Sequence, residues 1–149
     1  MIMDFNVAMR KSRRKEFIEA AVAFYIKELN LTRSRYLLTV LTDKTLITEH
    51  GCNGGVIQAG TDIIGMVLDS RLPLQQLVLT IAHEMVHVKQ IARGRLLNRV
   101  INKEMVNIWG GQAYTQADLA YHKRPWELEA FRQERELAFR LWEVIGEDK

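Results

Sequence analysis

The chain has 149 residues, 48% of them hydrophobic and 26% charged, with a formal net charge of +3. This is the make-up of a soluble globular protein large enough to bury its own core, so we expect one domain over residues 1–149 and no disordered or fibrous segment. The single cysteine, Cys52, excludes an internal disulfide and any cysteine-based zinc finger, and it reads as a small buried hydrophobe in a reducing compartment.

Residues 1–9 read as a short extended or loose lead-in with no basic stretch ahead of an apolar one, and the longest apolar run nearby, residues 20–26, is far short of a membrane span. The expectation is a cytoplasmic protein without a membrane partner. A helix should begin near Ser12, because Phe17, Ile18, Ala21, Val22, Tyr25, Ile26 and Leu29 recur at spacings of three and four. The basic residues 10–15 at its start oppose the helix dipole and are expected to be solvated. From Tyr36 the texture turns β-rich, and glycines at 51, 54, 55, 60 and 65 punctuate short apolar runs. These predict a small twisted sheet of three or four strands, the last over residues 63–69.

That strand leads into residues 72–92, a breaker-free run with Pro73 at its start and apolar residues nearly all round, as expected of a helix at the centre of a domain. It contains His83-Glu84-Met85-Val86-His87. Residues four apart stack on one helix face, so His83 and His87 can present two ring nitrogens to one tetrahedral zinc. Glu84 then stands beside the metal, where a carboxylate can take a proton from a zinc-bound water and pass it to a leaving amine. A chain of this composition would contain the pattern by chance in roughly one case in a hundred, so the motif is read as a metal site.

Beyond Gly94, a break or kink, the apolar residues Leu96, Leu97, Val100, Ile101, Met105, Val106 and Ile108 continue at helical spacing. Residues 110–124 show no clear period, and Tyr114, Tyr121 and His122 among them are candidate donors to an oxyanion, though each is more often an ordinary surface or packing residue. A last helix runs from Pro125 to a stop at Gly146. A catalytic zinc needs a third protein ligand, and this helix offers Glu127 and Glu129. At about 100° per residue Glu127 falls within the apolar arc of Ala130, Phe131, Leu137, Ala138 and Leu141, and Glu129 nearly opposite. Glu134 also falls inward and could accept from a histidine N–H. The alternative for Glu127 is a helix cap beside Pro125, and for His50, next to a glycine turn, no role is expected.

Together, His83-Glu84-Met85-Val86-His87 and Pro125-Trp126-Glu127-Leu128-Glu129-Ala130 resemble the gluzincin metallopeptidases, in particular small intracellular and phage-borne members with a Pro-x-Glu-x-Glu-Ala segment. The resemblance covers the layout from about residue 63 to 145. It implies an α+β zincin-like domain, one Zn2+ on His83, His87 and Glu127, Glu84 as general base, and a peptide or protein substrate laid along an edge strand at residues 60–69. Phe131 stands where many relatives carry Asp or Asn, so the hydrogen bond that residue supplies must come from elsewhere. The competing expectation is a non-catalytic zinc domain whose basic clusters, residues 10–15 and 93–99, meet nucleic acid or an acidic protein. Glu84 favours catalysis, since a purely structural site has no use for an acid there, and no nucleic-acid-binding motif accompanies the basic clusters.

Overall fold

The structure is a computed structural model that describes residues 3–147. In the lead-in, Phe5–Ala8 take the extended alternative and form strand β1. Ser12 then caps helix α1 (Arg13–Glu28), its hydroxyl accepting the Lys15 N–H at 3.1 Å, an arrangement worth about 1 kcal/mol over an uncapped end. One of the basic residues here is not solvated as expected. Arg14 Nη2 donates to Leu72 O at 2.6 Å and fastens the first turn of α1 to the loop that precedes the histidine-bearing helix.

Strands β2 (Leu37–Asp43), β3 (Gly54–Gln58) and β4 (Ile63–Asp69) complete a four-stranded sheet in the order β1-β2-β4-β3. β1, β2 and β4 run parallel, and β3 is antiparallel to β4. The alternation of side chains gives the sheet one covered face: Leu38, Val40, Ile64, Met66 and Leu68 are buried, while Leu41, Ile57 and Ile63 on the other face are exposed. β4 is therefore an interior strand, and the edge next to the histidine-bearing helix is β3, not residues 60–69. The parallel pairing of β2 with β4 explains the difference, because it places β4 between β2 and the returning β3. Between β2 and β3 lies a short helix, α2 (Leu46–His50), carrying His50 in its exposed last turn. Asp69 holds this corner: it is 2% exposed, and its two oxygens accept the Ile47 and Arg71 N–H groups at 2.9 and 2.8 Å.

Helix α3 (Leu74–Ala92) starts directly after Pro73 and packs against α1 and the sheet. Every residue from Ile81 to Val88 is buried, as its all-round apolarity requires. It ends where Gly94 predicts, with Gly94 at φ +73° and its N–H on Ile91 O, and with the Arg95 N–H on Gln90 O.

The segment after Gly94, expected to continue as a helix, is instead a second sheet. Leu96–Ile101 (β5), Glu104–Trp109 (β6) and Gln112–Thr115 (β7) pair antiparallel in sequence order. The two hairpins turn at Asn102-Lys103 (φ 51° and 66°) and Gly110-Gly111 (φ 58° and 81°), the positive-φ pairs that match strand twist. Spacing of three and four coexists here with partial alternation, and a lysine at positive φ hides the first turn.

Helix α4 (Pro125–Glu147) lies along α3 and continues through Gly146, so that glycine does not close it. Its buried side carries Trp126, Glu127, Ala130, Leu137, Ala138 and Leu141. Tyr25 ties α1 to it, donating its buried hydroxyl to Leu137 O at 2.9 Å. The protein is thus α+β. No helix among the described residues is long and apolar enough to cross a membrane.

Candidate metal centre

The site is built on two facing helices. One turn apart on α3, His83 and His87 turn their Nε2 atoms toward each other at 3.3 Å, and Glu127 from the first turn of α4 places Oε1 at 2.8 and 2.9 Å from those same two atoms. Burial is nearly complete, with 5%, 6% and 7% exposure for His83, His87 and Glu127. These are the three residues that helix phase selects; Glu129, the alternative, is directed away.

The hydrogen bonds behind the rings fix what the Nε2 atoms are. Gln90, fully buried, donates its amide NH2 to Trp126 O at 3.0 Å and to Glu129 Oε1 at 3.1 Å, both acceptors only. Its Oε1 must therefore face His87, where it accepts from Nδ1 at 2.8 Å. Likewise, His83 Nδ1 donates to Glu134 Oε2 at 3.0 Å. With both Nδ1 atoms carrying protons, two Nε2 atoms and a carboxylate oxygen meet at one point, where either protons held on the imidazoles by Glu127 or, in their place, a metal ion that leaves the rings neutral must sit between the electron pairs. Such a convergence of electron pairs in a buried place calls for a cation. The 3.3 Å between the nitrogens also matches the edge of a tetrahedron with metal–nitrogen bonds of about 2.0–2.1 Å. His83, His87 and Glu127 could hold a metal ion.

Each histidine ring is thus supported from behind, His83 by Glu134 and His87 by Gln90. Glu134 is legible from helix phase. Gln90 is not among the residues the sequence singles out, although its place three residues after His87 was a visible signal. The chain of contacts continues outward, since Glu129 is bound at both oxygens by Arg95, at 3.2 and 2.8 Å, and the Arg95 guanidinium lies over the Trp109 ring at 4.8 Å. The second sheet, unforeseen in the sequence, therefore braces the ring of His87. Phe131 itself packs on the His83 ring at 4.8 Å.

Electrostatics separates the two inner acids. Burial would raise Glu127, but its hydrogen bonds to His83 and His87 outweigh this and lower it to about 2, so it is an anion. Burial dominates at Glu84 and pushes it up to about 7 against the pull of His87 and His83. His87 shows the reverse balance: burial disfavours its charge, yet the bond and charge of Glu127, with Glu84, raise it to about 9. Glu84 is 5% exposed, and its Oε2 is a buried oxygen without a hydrogen-bond partner. An acid buried this way, raised toward neutrality and unsatisfied at one oxygen, is what proton transfer needs.

Glu84 and His83 form the floor of a cleft of about 380 Å³, walled by Gly54, Thr80, Tyr121 and Phe131. Gly54 is required here by packing: a Cβ would stand 2.9 Å from Thr80 Cγ2, 3.0 Å from Val67 O and 3.4 Å from Glu84 Cγ. β3 therefore crosses α3 at backbone distance beside Glu84. Of the candidate donors only Tyr121, a half-exposed residue, lines the cleft. Burial, Glu127 and Glu84 hold its hydroxyl well above its usual value, hence protonated. Tyr114 instead packs against Trp126 at 5.7 Å, and His122 is exposed. Cys52, expected to be buried, is exposed at the cleft wall because the turn after α2 carries it to the surface.

Fold and site together define an α+β protein with a buried His-His-Glu centre at the foot of an open cleft. Comparison with protein-family models, with curated proteins and with solved structures returned no match to this chain.

Proposed function

We propose that the protein is a zinc-dependent metallopeptidase of zincin-like fold, holding one Zn2+ on His83, His87 and Glu127 and hydrolysing peptide bonds with Glu84 as general base. The observation that carries the reading is the pairing of a three-residue convergence that could hold a metal with a buried acid, Glu84, which lines the adjoining cleft and whose Oε2 has no hydrogen-bond partner. Two imidazoles and one carboxylate are the donor set that suits zinc and leaves a fourth position for water or substrate. Zinc bound there supplies a Lewis acid that acidifies a water and polarises a carbonyl.

The protein's own groups do the rest. Glu84, buried beside the ligand set, accepts the proton of the attacking water and returns it to the departing amine nitrogen. The Tyr121 hydroxyl donates to the oxygen that gains negative charge as the carbonyl is attacked. Glu134 and Gln90 keep the imidazole rings in the Nδ1–H form that a metal requires. The exposed edge of β3 beside Glu84 offers backbone groups to an extended peptide.

The purified protein, incubated with denatured casein and with a quenched fluorescent peptide library, should release fragments. A chelator should stop cleavage, and added zinc should restore it. Cleavage that survives complete removal of metal contradicts the reading. The alternative of a non-catalytic zinc domain meeting nucleic acid or an acidic protein predicts retention of zinc without cleavage. It leaves the unpartnered Glu84 unexplained.

A further inference from the structure

The outer edge of β3 is open over only part of its length. In the antiparallel ladder with β4, Asn53 O accepts from Asp69 N at 2.8 Å and Ala59 N donates to Ile63 O at 2.9 Å. Residues 53, 55, 57 and 59 thus direct their backbone groups to β4, and Gly54, Val56 and Gln58 direct theirs outward. Gly54 lies beside Glu84 in the cleft, and Val56 is the next outward position. At Gln58 the edge is already taken. Its N–H donates to Asn98 Oδ1 at 3.1 Å, and its own amide oxygen accepts from Arg99 Nη1 at 3.2 Å. Asn98 is held in that orientation from behind, because its Nδ2 donates to Asn107 Oδ1 at 2.6 Å across the β5–β6 pair.

We propose that Asn98 is a specificity-determining stop: an extended peptide in the cleft pairs with β3 at Gly54 and Val56 and is turned off the sheet at Gln58. This rests on the metallopeptidase reading for the identity of the occupant. In the antiparallel sense, which pairs slightly better per residue, a chain with its C-terminal end at the metal runs its N-terminal residues past Val56 toward Gln58. Recognition by the backbone then covers roughly three residues on that side, and residues further out gain nothing from the edge.

The test uses peptides of one to six alanine-rich residues ending in a C-terminal hydroxamate, a group that binds zinc directly, titrated calorimetrically into zinc-loaded protein. Wild-type affinity should rise over roughly the first three residues and then stay level within about twofold. In Asn98→Ala the rise should continue, the six-residue probe binding about fivefold tighter than the three-residue one, the gain of one net hydrogen bond. Asn98→Leu, which keeps bulk against β3, should stay level. Amide exchange supplies a readout that needs no variant: bound probe should protect the Gly54 and Val56 N–H groups and leave Gln58 unchanged. A wild-type affinity that climbs steadily to six residues, a level series in a folded Asn98→Ala, absence of probe binding, or new protection at Gln58 overturns the stop. Because binding is measured rather than cleavage, a protein that holds zinc without cleaving would still show the length break, and loss of the stop would leave cleavage intact.

Discussion

Glu84→Gln is expected to lower peptide hydrolysis by about 10²–10⁴-fold while zinc content and melting temperature stay close to those of wild type. Glutamine has the same size and shape, so it fills the same space beside Gly54 of β3, where even an added Cβ would crowd Glu84 Cγ, and leaves both histidines in place. What is lost is a buried carboxylate, unpartnered at Oε2, that can take a proton and give it back. A neutral amide cannot cycle a proton. Rates on the same cleaved substrate, with zinc measured in both proteins, check this. Equal rates at equal zinc would remove Glu84 from the mechanism.

The second large effect concerns the third ligand. Glu127→Gln should weaken zinc affinity by about a hundredfold or more, because a neutral amide oxygen replaces the anion that faces both Nε2 atoms. Glu129→Gln should remain within about tenfold of wild type, since that residue touches Gln90 and Arg95 but not the histidine nitrogens. The ratio of the two affinities, from competition with a chelator of known strength, distinguishes a ligand from a residue that braces one. The reverse order would place Glu129 on the metal.

Glu127 and Glu129 also show why helices were the most legible part of this sequence. Two positions along a helix differ by about 200° in direction, so one apolar arc sorts them without any tertiary information. The same periodicity locates α1 at Ser12, the buried α3 and the inward Glu134. It fails at residues 96–108, where a lone buried Leu96 and Val106 leave both periods half satisfied and the positive-φ lysine at 103 disguises a hairpin turn. Strand order is not readable either. Whether residues 54–58 or 63–69 lie at the edge depends on a parallel pairing between β2 and β4, set by long-range packing rather than by local pattern. Gln90 escapes notice for a related reason, because its role exists only once α4 brings Trp126 and Glu129 alongside. The ligands can be placed from local pattern, but the groups that orient them come from elements whose arrangement no local pattern spells out.

The central claim is a zinc centre on His83, His87 and Glu127, and its most direct test is elemental mass spectrometry of the gently purified protein. About one zinc per chain is expected in wild type, and its loss in His83→Ala and His87→Ala. A wild-type protein that carries no divalent metal and takes up none when zinc is added would contradict it.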